Sequence, residues 1–439
     1  MTDHLDLVSE VQAALALLER PERYWLAYSG GLDSRVLLDI LLRLREQCRD
    51  FPPVHVVHVN HGLQDAADQW EQHCRALCDA RDIPLLVHRV VVSEDGEGPE
   101  AAARRARYRA FESTLQRGDV LLLAHHLDDQ AETVLQRMLR GAGLQGVAGI
   151  PPLRSLGAGR LFRPLLAFPR ERLSVFAQRE GLDWDEDPSN AQANYDRNYL
   201  RHHVMPLLAA RWPAYRRSFA RAAELSADSA ALLDEYLEAD LGALMDGVTL
   251  DLSRLLHIPA HKQLPLLNHF LRSRCQLHLE QAQLHMFAEQ FLKSRADAQP
   301  QVVHGPWRFY RHRQRLYVEP RDIAEQPHAQ VVQWLLTEPL RLPCGVLSAR
   351  PGGEFLPSGK VTVEFRRGGE RCQLAGEGHH RSLKKLLQQW DLPPLQRARL
   401  PLIYCDGVLA AIAGLAVCEG FSAPKGDGWQ VCWQDVAGH

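Results

Sequence analysis

The sequence predicts an α/β fold: an N-terminal domain on a parallel sheet, then a helical domain, then a small α+β C-terminal domain. Three observations carry this prediction. Near-continuous apolar strands alternate with amphipathic helices as far as Gly141, the pattern of a sheet covered on both faces. Beyond Pro151 and Pro152 helical patterning dominates, and residues 221–300 lack good strands. Past a polar, proline-bearing break at 322–327, short strands return between Gly/Pro turns, as in "GKVTVEFRRGGE".

Taken in order, an apolar run at 24–28 is the first strand, and its helix sets Val36, Leu37, Ile40, Leu41 and Leu44 on one side. "VHVVHV" (54–59) is the second strand, followed by a helix over 66–80. "PLLVHRVVV" (84–92) and the helix "EAAARRARYRAFESTL" (100–115) come next. "DVLLLA" (119–124) is the fourth strand, and "DDQAETVLQRMLRG" a helix ended by Gly141. "PRERLSVFAQREGL" starts on proline and stops at Gly181, both helix-boundary signals. Helix continues over 197–244, and near the end "SLKKLLQQWDL" reads as helix and "GVLAAIAGLAV" as strand. Domain boundaries are expected at 1–217, 218–322 and 330–439.

At 439 residues the chain has room for two or three domains, and no apolar run approaches the roughly 20 residues of a membrane span. Its acidic start lacks the pattern of a secretory signal, which predicts a cytoplasmic protein without a membrane or an obligate protein partner. Nine cysteines occur without a CxxC pair, and Cys74 and Cys78 read as packing residues one helical turn apart, which argues against a disulfide framework or an iron–sulfur site. The net charge of −3 alternates by segment: −8 over 1–99, +5 over 100–220, −4 over 221–304, +7 over 305–400 and −3 over 401–439. Two basic blocks suit a polyanionic partner held at two places, and equally suit solvated faces.

"SGGLDS" (29–34) joins the first strand to its helix. Paired glycines let the chain turn sharply and bring N–H groups close to a ligand, and the helix start adds more. The string is neither GxxxxGK[ST] nor GxGxxG. An aspartate at a phosphate cradle is costly unless a cation lies between them. "HVNHGL" (58–63) and "AHHLDDQAET" (124–133) end the second and fourth strands, so three polar motifs converge where an open α/β sheet binds ligands. The histidines at 55, 58 and 61 cannot cluster on a metal, because a strand sends alternate residues to opposite faces.

"SGGLDS" resembles the loop of the pyrophosphate-loop ATP pyrophosphatases, which split ATP into AMP and pyrophosphate. Together with "HVNHGL", "EAAARRARY", "AHHLDDQAETVLQRMLRGAGLQGVAGI", "WDEDPSN…YDRNYLRHHVMPLL" and the later "RRGGERCQLAGEGHHRSLKKLLQQWDLPPLQRARLPLIY", it resembles the tRNA(Ile)-lysidine synthetase family. The resemblance implies an N-terminal adenine nucleotide α-hydrolase-like fold and a helical domain and C-terminal domain that handle tRNA. It implies ATP as substrate, Mg²⁺, L-lysine and a tRNA(Ile) with CAU anticodon. Lysine is joined to carbon 2 of the wobble cytidine through an adenylated intermediate, which changes the codon read from AUG to AUA. An alternative is a tRNA-modifying pyrophosphatase of the thiolation type, disfavoured by cysteines placed away from the strand ends.

By the same resemblance Ser29, Gly30, Gly31, Leu32, Asp33 and Ser34, with His58 and Asn60, bind ATP, and Asp33 lies near Mg²⁺. His125, Asp129 and Arg197 join Asp33 at the reacting centre. Lysine's pKa of about 10.4 demands a carboxylate to orient the ammonium and take its proton; Asp129 is expected to do both, with Asp128 and Glu132 nearby and Arg197 on phosphate charge. Arg104 and Arg107 are expected on substrate or tRNA, and Arg366, Arg367, Lys384 and Lys385 on the tRNA acceptor stem or backbone. "WRFYRHRQRLY" (307–317) is expected to set Arg311, Arg313 and Arg315 on one strand face, open to phosphates or to solvent.

Overall fold

The computed structural model describes residues 6–60, 62, 67–91, 99–185, 196–295, 298–323 and 331–435. His61 and Leu63 of "HVNHGL", Ala66, Val92, residues 186–195 of the "WDEDPSN…Y" stretch and 324–327 of the expected break lie outside them. The chain divides into two compact units, Met1–Leu233 and Asp234–His439.

In unit 1, α1 (Leu7–Ala16) precedes β1 (Arg23–Ala27), α2 (Leu32–Gln47), β2 (Val54–Asn60), α3 (Ala67–Ala80), β3 (Leu85–Arg89), α4 (Pro99–Thr114), β4 (Asp119–Leu122) and α5 (Leu127–Leu139). The short α6 (Leu144–Val147), the hairpin β5 (Leu153–Leu156) and β6 (Gly159–Phe162), and α7 (Arg170–Arg179) follow. The sheet order is β3-β2-β1-β4-β6-β5. All neighbours are parallel except β5 and β6. The order reverses between β1 and β4, so a crevice opens at their carboxyl ends. Val36, Leu37, Ile40, Leu41 and Leu44 of α2 are fully buried, as their spacing predicts.

The β5–β6 hairpin departs from the helical reading after Pro152. Its strands are four residues each, too short for period-two alternation to register, and β6 enters the sheet only because β4 offers it a parallel edge. α8 (Asp196–Tyr199), a π-helical turn (Leu200–Val204) and α9 (Met205–Arg211) lead to α10 (Tyr215–Leu244), which crosses the division at Leu233.

Unit 2 begins with β7 (Met245–Asp246), β8 (Thr249–Asp251), α11 (Leu252–His257), α12 (Ala260–Cys275) and α13 (Gln281–Leu292). β9 (Gln301–His304), β10 (Trp307–His312) and β11 (Arg315–Pro320) complete an antiparallel sheet of order β7-β8-β11-β10-β9. Phe270, Phe287, Phe291 and Phe309 form its core with leucines of α10 to α13. Here the expectation for "WRFYRHRQRLY" is corrected. β10 is a central strand, and the buried Arg311 donates to the carbonyls of Phe291 (3.0 Å) and Ser294 (3.3 Å), closing the end of α13. Arg313 has left-handed backbone (φ +51°) in the turn and pairs with Asp391, while Arg315 pairs with Asp246. The three arginines share no face, because the hairpin turn falls between them.

The remaining elements are β12 (Val332–Gln333), β13 (Leu340–Leu342), β14 (Gly345–Gly353), β15 (Val361–Phe365), β16 (Arg371–Cys372) and β17 (Arg381–Ser382). α14 (Leu383–Gln389), α15 (Pro394–Arg399), β18 (Pro401–Cys405), β19 (Val408–Ile412), β20 (Ala416–Val417) and β21 (Gly428–Asp435) end the described chain. They build antiparallel sheets of order β12-β15-β18-β19-β20 and β13-β14-β21, with the ladder β16-β17. Arg399 of α15, fully buried, makes two bonds to the equally buried Glu319 of β11 (2.7 and 2.8 Å), and Arg308 of β10 adds a third at 3.1 Å. Among the described residues no helix is long and apolar enough to cross a membrane.

Candidate active site

The loop after β1 is shaped by its glycines. Gly30 has φ +88°, and a Cβ there would stand 2.9 Å from Asp185 Oδ2, so both backbone strain and space select glycine. Asp185 N–H donates to the Gly30 carbonyl (3.0 Å) and holds the turn open. Gly31 caps α2, which starts at Leu32. Ser34 Oγ donates to the Gly31 carbonyl (3.0 Å) and accepts from Ser29 N–H (3.3 Å), and the two hydroxyls lie 3.2 Å apart. The first-turn N–H groups of a helix have no intrahelical acceptor, so this end of α2 is an anion cradle.

Asp33 projects from that first turn toward the end of β4. Its Oδ2 is 3.7 Å from His126 Nε2 and its Oδ1 is 3.7 Å from Arg170 Nε. Oδ1 is buried and accepts no hydrogen bond among the described residues. Burial raises the Asp33 pKa, with Asp129 adding to the rise against His126, Arg170 and Arg201. Among the described residues no three His, Cys, Asp or Glu side chains group as a metal site. A magnesium ion carried mainly by phosphate and water oxygens needs only one or two protein carboxylates, and the unsatisfied Oδ1 fits that role.

At the end of β4 the structure separates two neighbouring histidines. His126 is the N-cap of α5: its Nδ1 accepts from Asp129 N–H (3.3 Å), while Asp129 Oδ2 accepts from His126 N–H (2.9 Å). Its Nε2 therefore carries the proton, facing Asp129 Oδ2 at 3.4 Å as well as Asp33. His125 turns instead to Arg163, whose Nε donates to His125 Nδ1 (3.0 Å). Burial, reinforced by Arg163, Arg197 and Arg107 against Asp129, lowers the His125 pKa to about 3. His125 is neutral, with its proton on Nε2.

Asp129 and Glu132 face two arginines. Arg197 donates to Asp129 Oδ1 (2.6 Å) and Glu132 Oε2 (2.9 Å). Arg201 donates to Glu132 Oε1 (2.7 Å), Glu132 Oε2 (2.8 Å) and Asp129 Oδ1 (3.3 Å). Burial alone would raise the Asp129 pKa, but His126, Arg197 and His125 together with the His126 backbone bond bring it to about 2. These neighbours keep Asp129 a negative charge beside the two arginines. Asp128 is engaged elsewhere, by Arg216 Nε (2.5 Å) and the Arg170 N–H (2.9 Å).

The other expected site residues fall in three places. His58 is buried, bonds the Tyr28 carbonyl through Nδ1 (2.9 Å) and has its pKa lowered by burial. Asn60 donates to Asp68 and Glu71 (both 3.0 Å) and accepts from Gly62 N–H (3.0 Å). These two set the end of β2 against β1 and α3. Arg104 stacks over Tyr108 at 4.9 Å and Arg154 lies over the same ring at 5.0 Å; with Arg163 and Arg107 they pull the Tyr108 pKa down against the upward effect of burial. In unit 2, Arg366 and Arg367 pair with Glu370 (3.5 Å) and Glu364 (2.8 Å), while Lys384 and Lys385 are exposed on α14. Cys74 and Cys78 are buried, with burial pushing their thiols up to about 12 and about 11, as packing residues should be.

Sequence reasoning missed His126 and Arg201. Arg201 lies four residues after Arg197, the spacing of one helix face. His126 directly precedes α5, in the place of a capping residue.

Comparison with known proteins agrees with this geometry. Residues 5–208 match the family model of the PP-loop domain, 250–317 the TilS substrate binding domain and 361–433 the TilS substrate C-terminal domain. A tRNA(Ile)-lysidine synthase of Serratia proteamaculans is 40% identical over 97% of this chain and 99% of its own. That of Pseudomonas putida is 42% identical over 89% of this chain and 92% of its own, and that of Coxiella burnetii 37% identical over 94% and 93%. With identity at this level along nearly the whole length, and with the nucleotide loop and its carboxylates at the sheet's switch point, the chain belongs to the tRNA(Ile)-lysidine synthase family.

Proposed function

We propose that this protein joins L-lysine to carbon 2 of the wobble cytidine of a tRNA(Ile) with CAU anticodon, consuming ATP and releasing AMP and pyrophosphate. The observation that carries the reading is the meeting of Asp33, His126 and Asp129 between the ends of β1 and β4, backed by Arg197 and Arg201. In this reading the Ser29–Ser34 turn and the start of α2 wrap the triphosphate. Asp33 would hold magnesium, whose charge would favour departure of pyrophosphate when the cytidine oxygen attacks the α-phosphate. The neutral His125 donates from Nε2 to an oxygen at the reacting centre. Arg197 and Arg201 keep positive charge beside the phosphates while Asp129 and Glu132 hold their planes fixed.

Asp129 draws the lysine ammonium toward the adenylated base. The ammonium gives up one proton to solvent water, Nζ then attacks carbon 2, and the bond from that carbon to the oxygen of AMP breaks. Arg104 and Arg107 on α4 are assigned to tRNA approaching this crevice, and Arg366, Arg367, Lys384 and Lys385 to its acceptor stem. His58 and Asn60 support ATP binding by holding the end of β2. The helical stretch 218–322 and the end domain 330–439 are assigned to tRNA.

The test incubates the protein with ATP, Mg²⁺, L-lysine and an unmodified transcript, then weighs the digested nucleosides, with the methionine tRNA in parallel. One lysine-bearing cytidine, in the isoleucine transcript alone, is expected. AMP formation without lysine attachment would overturn the second half of the reaction.

A further inference from the structure

Several arginines converge on Tyr108 beside the candidate active site. Arg104 of α4 and Arg154 of β5 lie over its ring at 4.9 and 5.0 Å, and both are exposed. Arg163, which follows β6, is buried, and it donates to neutral acceptors, His125 Nδ1 (3.0 Å) and the Pro151 carbonyl (2.5 Å). Burial lowers the Arg163 pKa, and Arg154 and Arg104 add to the fall against Tyr108. Among the described residues none of Arg104, Arg154 and Arg163 pairs with a carboxylate. Buried charges are normally compensated by an opposite charge. A guanidinium stacked on a ring keeps N–H groups at its edge for a phosphate. The cluster is short of an anion, and its two exposed members are open to one.

We propose that Arg154 and Arg104, backed by the buried charge of Arg163, hold the phosphodiester backbone of the tRNA strand next to the wobble cytidine. Two observations favour RNA over the phosphates of ATP. The triphosphate has its cradle in the Ser29–Ser34 turn after β1, whereas Arg154 and Arg163 belong to the β5–β6 hairpin and its exit, with β4 lying between β1 and β6 in the sheet. The cluster also adjoins the reacting centre, because Arg163 bonds His125 directly. A strand that offers one base to that centre brings a phosphate on either side of it. Phosphate contacts fix the position of a strand without reading its sequence, so Arg154 sets where the strand lies and leaves the choice of base to the crevice. This inference rests on the reading that the crevice acts on tRNA.

The test uses the full chain, unchanged and as Arg154→Gln or Arg154→Lys, with the isoleucine tRNA transcript over a range of salt. Arg154→Gln should bind it roughly tenfold more weakly at low salt, the size of one charge-assisted contact. Its slope of log affinity against log salt should be shallower by about 1. Arg154→Lys should restore most of that slope, and ATP affinity without RNA should be the same in all three proteins. A neutral methylphosphonate at one of the two phosphates flanking the wobble cytidine should weaken binding to the unchanged protein and leave Arg154→Gln unaffected. Unaltered affinity and slope in Arg154→Gln overturn the proposal, as does an equal loss of ATP affinity, which would give the site to the nucleotide. Neutral linkages that weaken Arg154→Gln as much as the unchanged protein overturn the placement beside the cytidine. Failure of the unchanged protein to bind the transcript overturns the reading beneath it.

Discussion

Replacing Glu132 by glutamine removes the charge from the carboxylate that receives three arginine N–H bonds, at 2.7, 2.8 and 2.9 Å. Glu132 is 3% exposed, so water does not take its place. Breaking a buried ion pair by removing one partner costs about 3–5 kcal/mol. Arg197 and Arg201 keep some solvent contact, with side chains 31% and 27% exposed, and Asp129 Oδ1 still accepts from both. The lower end, about 3 kcal/mol, is therefore expected, or roughly a 150-fold effect if it falls entirely on catalysis. Part of it will appear as a lower urea midpoint and the rest as slower AMP release in the presence of tRNA and lysine. ATP affinity should hardly change, because the Ser29–Ser34 turn makes none of these bonds. Glu132→Asp should recover part of the rate. A variant with unaltered rate and midpoint would refute the argument that Glu132 fixes the two arginines.

Other outcomes follow from the same structure. His125 titrates at about 3 when folded, against about 6.5 in an open chain, so the unfolded state binds more protons between those values. Stability should fall as pH drops below 6.5, by at most about 1.4 kcal/mol per unit; His125→Gln should flatten the curve of unfolding midpoint against pH, and parallel curves would contradict this. Asp129, depressed to about 2, should lose its contribution only as pH falls from about 4 toward 2, which acid unfolding of Asp129→Asn would reveal by a shallower fall. Gly30→Ala forces a side chain into left-handed backbone against Asp185, for about 1–2 kcal/mol of strain and about a tenfold weaker ATP affinity by calorimetry; unchanged affinity would mean the turn is not part of the nucleotide site. Arg399→Met takes two of its hydrogen bonds from the fully buried Glu319, and should destabilise unit 2 by about 3–5 kcal/mol without loss of ATP binding in unit 1. Truncation at residue 330 should destabilise the remaining part of unit 2 for the same reason.

Much of this molecule is legible from local pattern. The Ser29–Ser34 turn announces itself because left-handed backbone and close approach admit few residues besides glycine. The alternating strands and helices of unit 1 follow from apolar spacing, and the motifs after β1 and β4 meet because parallel strands end on one side. Individual side chains are less legible. His125 and His126 are indistinguishable by type, and only the start of α5 decides that His126 caps the helix between two carboxylates while His125 turns to Arg163. Arg311 reads as open to phosphates or to solvent, yet it is buried against the end of α13, as its neighbour Arg308 is against Glu319. His58 and Asn60 sit in the right motif, but their polar atoms hold the backbone of β1 and the side chains of α3.

The amino-acid sequence by itself determined the elements of the N-terminal sheet, the glycine turn beside its first helix and the family likeness, since each rests on preferences spanning a few residues. The tertiary structure alone decided which carboxylate stays ionised, which histidine meets Asp33 and which arginines are buried. Those outcomes depend on charges and dipoles brought within a few ångströms from segments some 70 residues apart, as Asp129 and Arg201 are. No local spacing encodes the low-dielectric surroundings that set their energies.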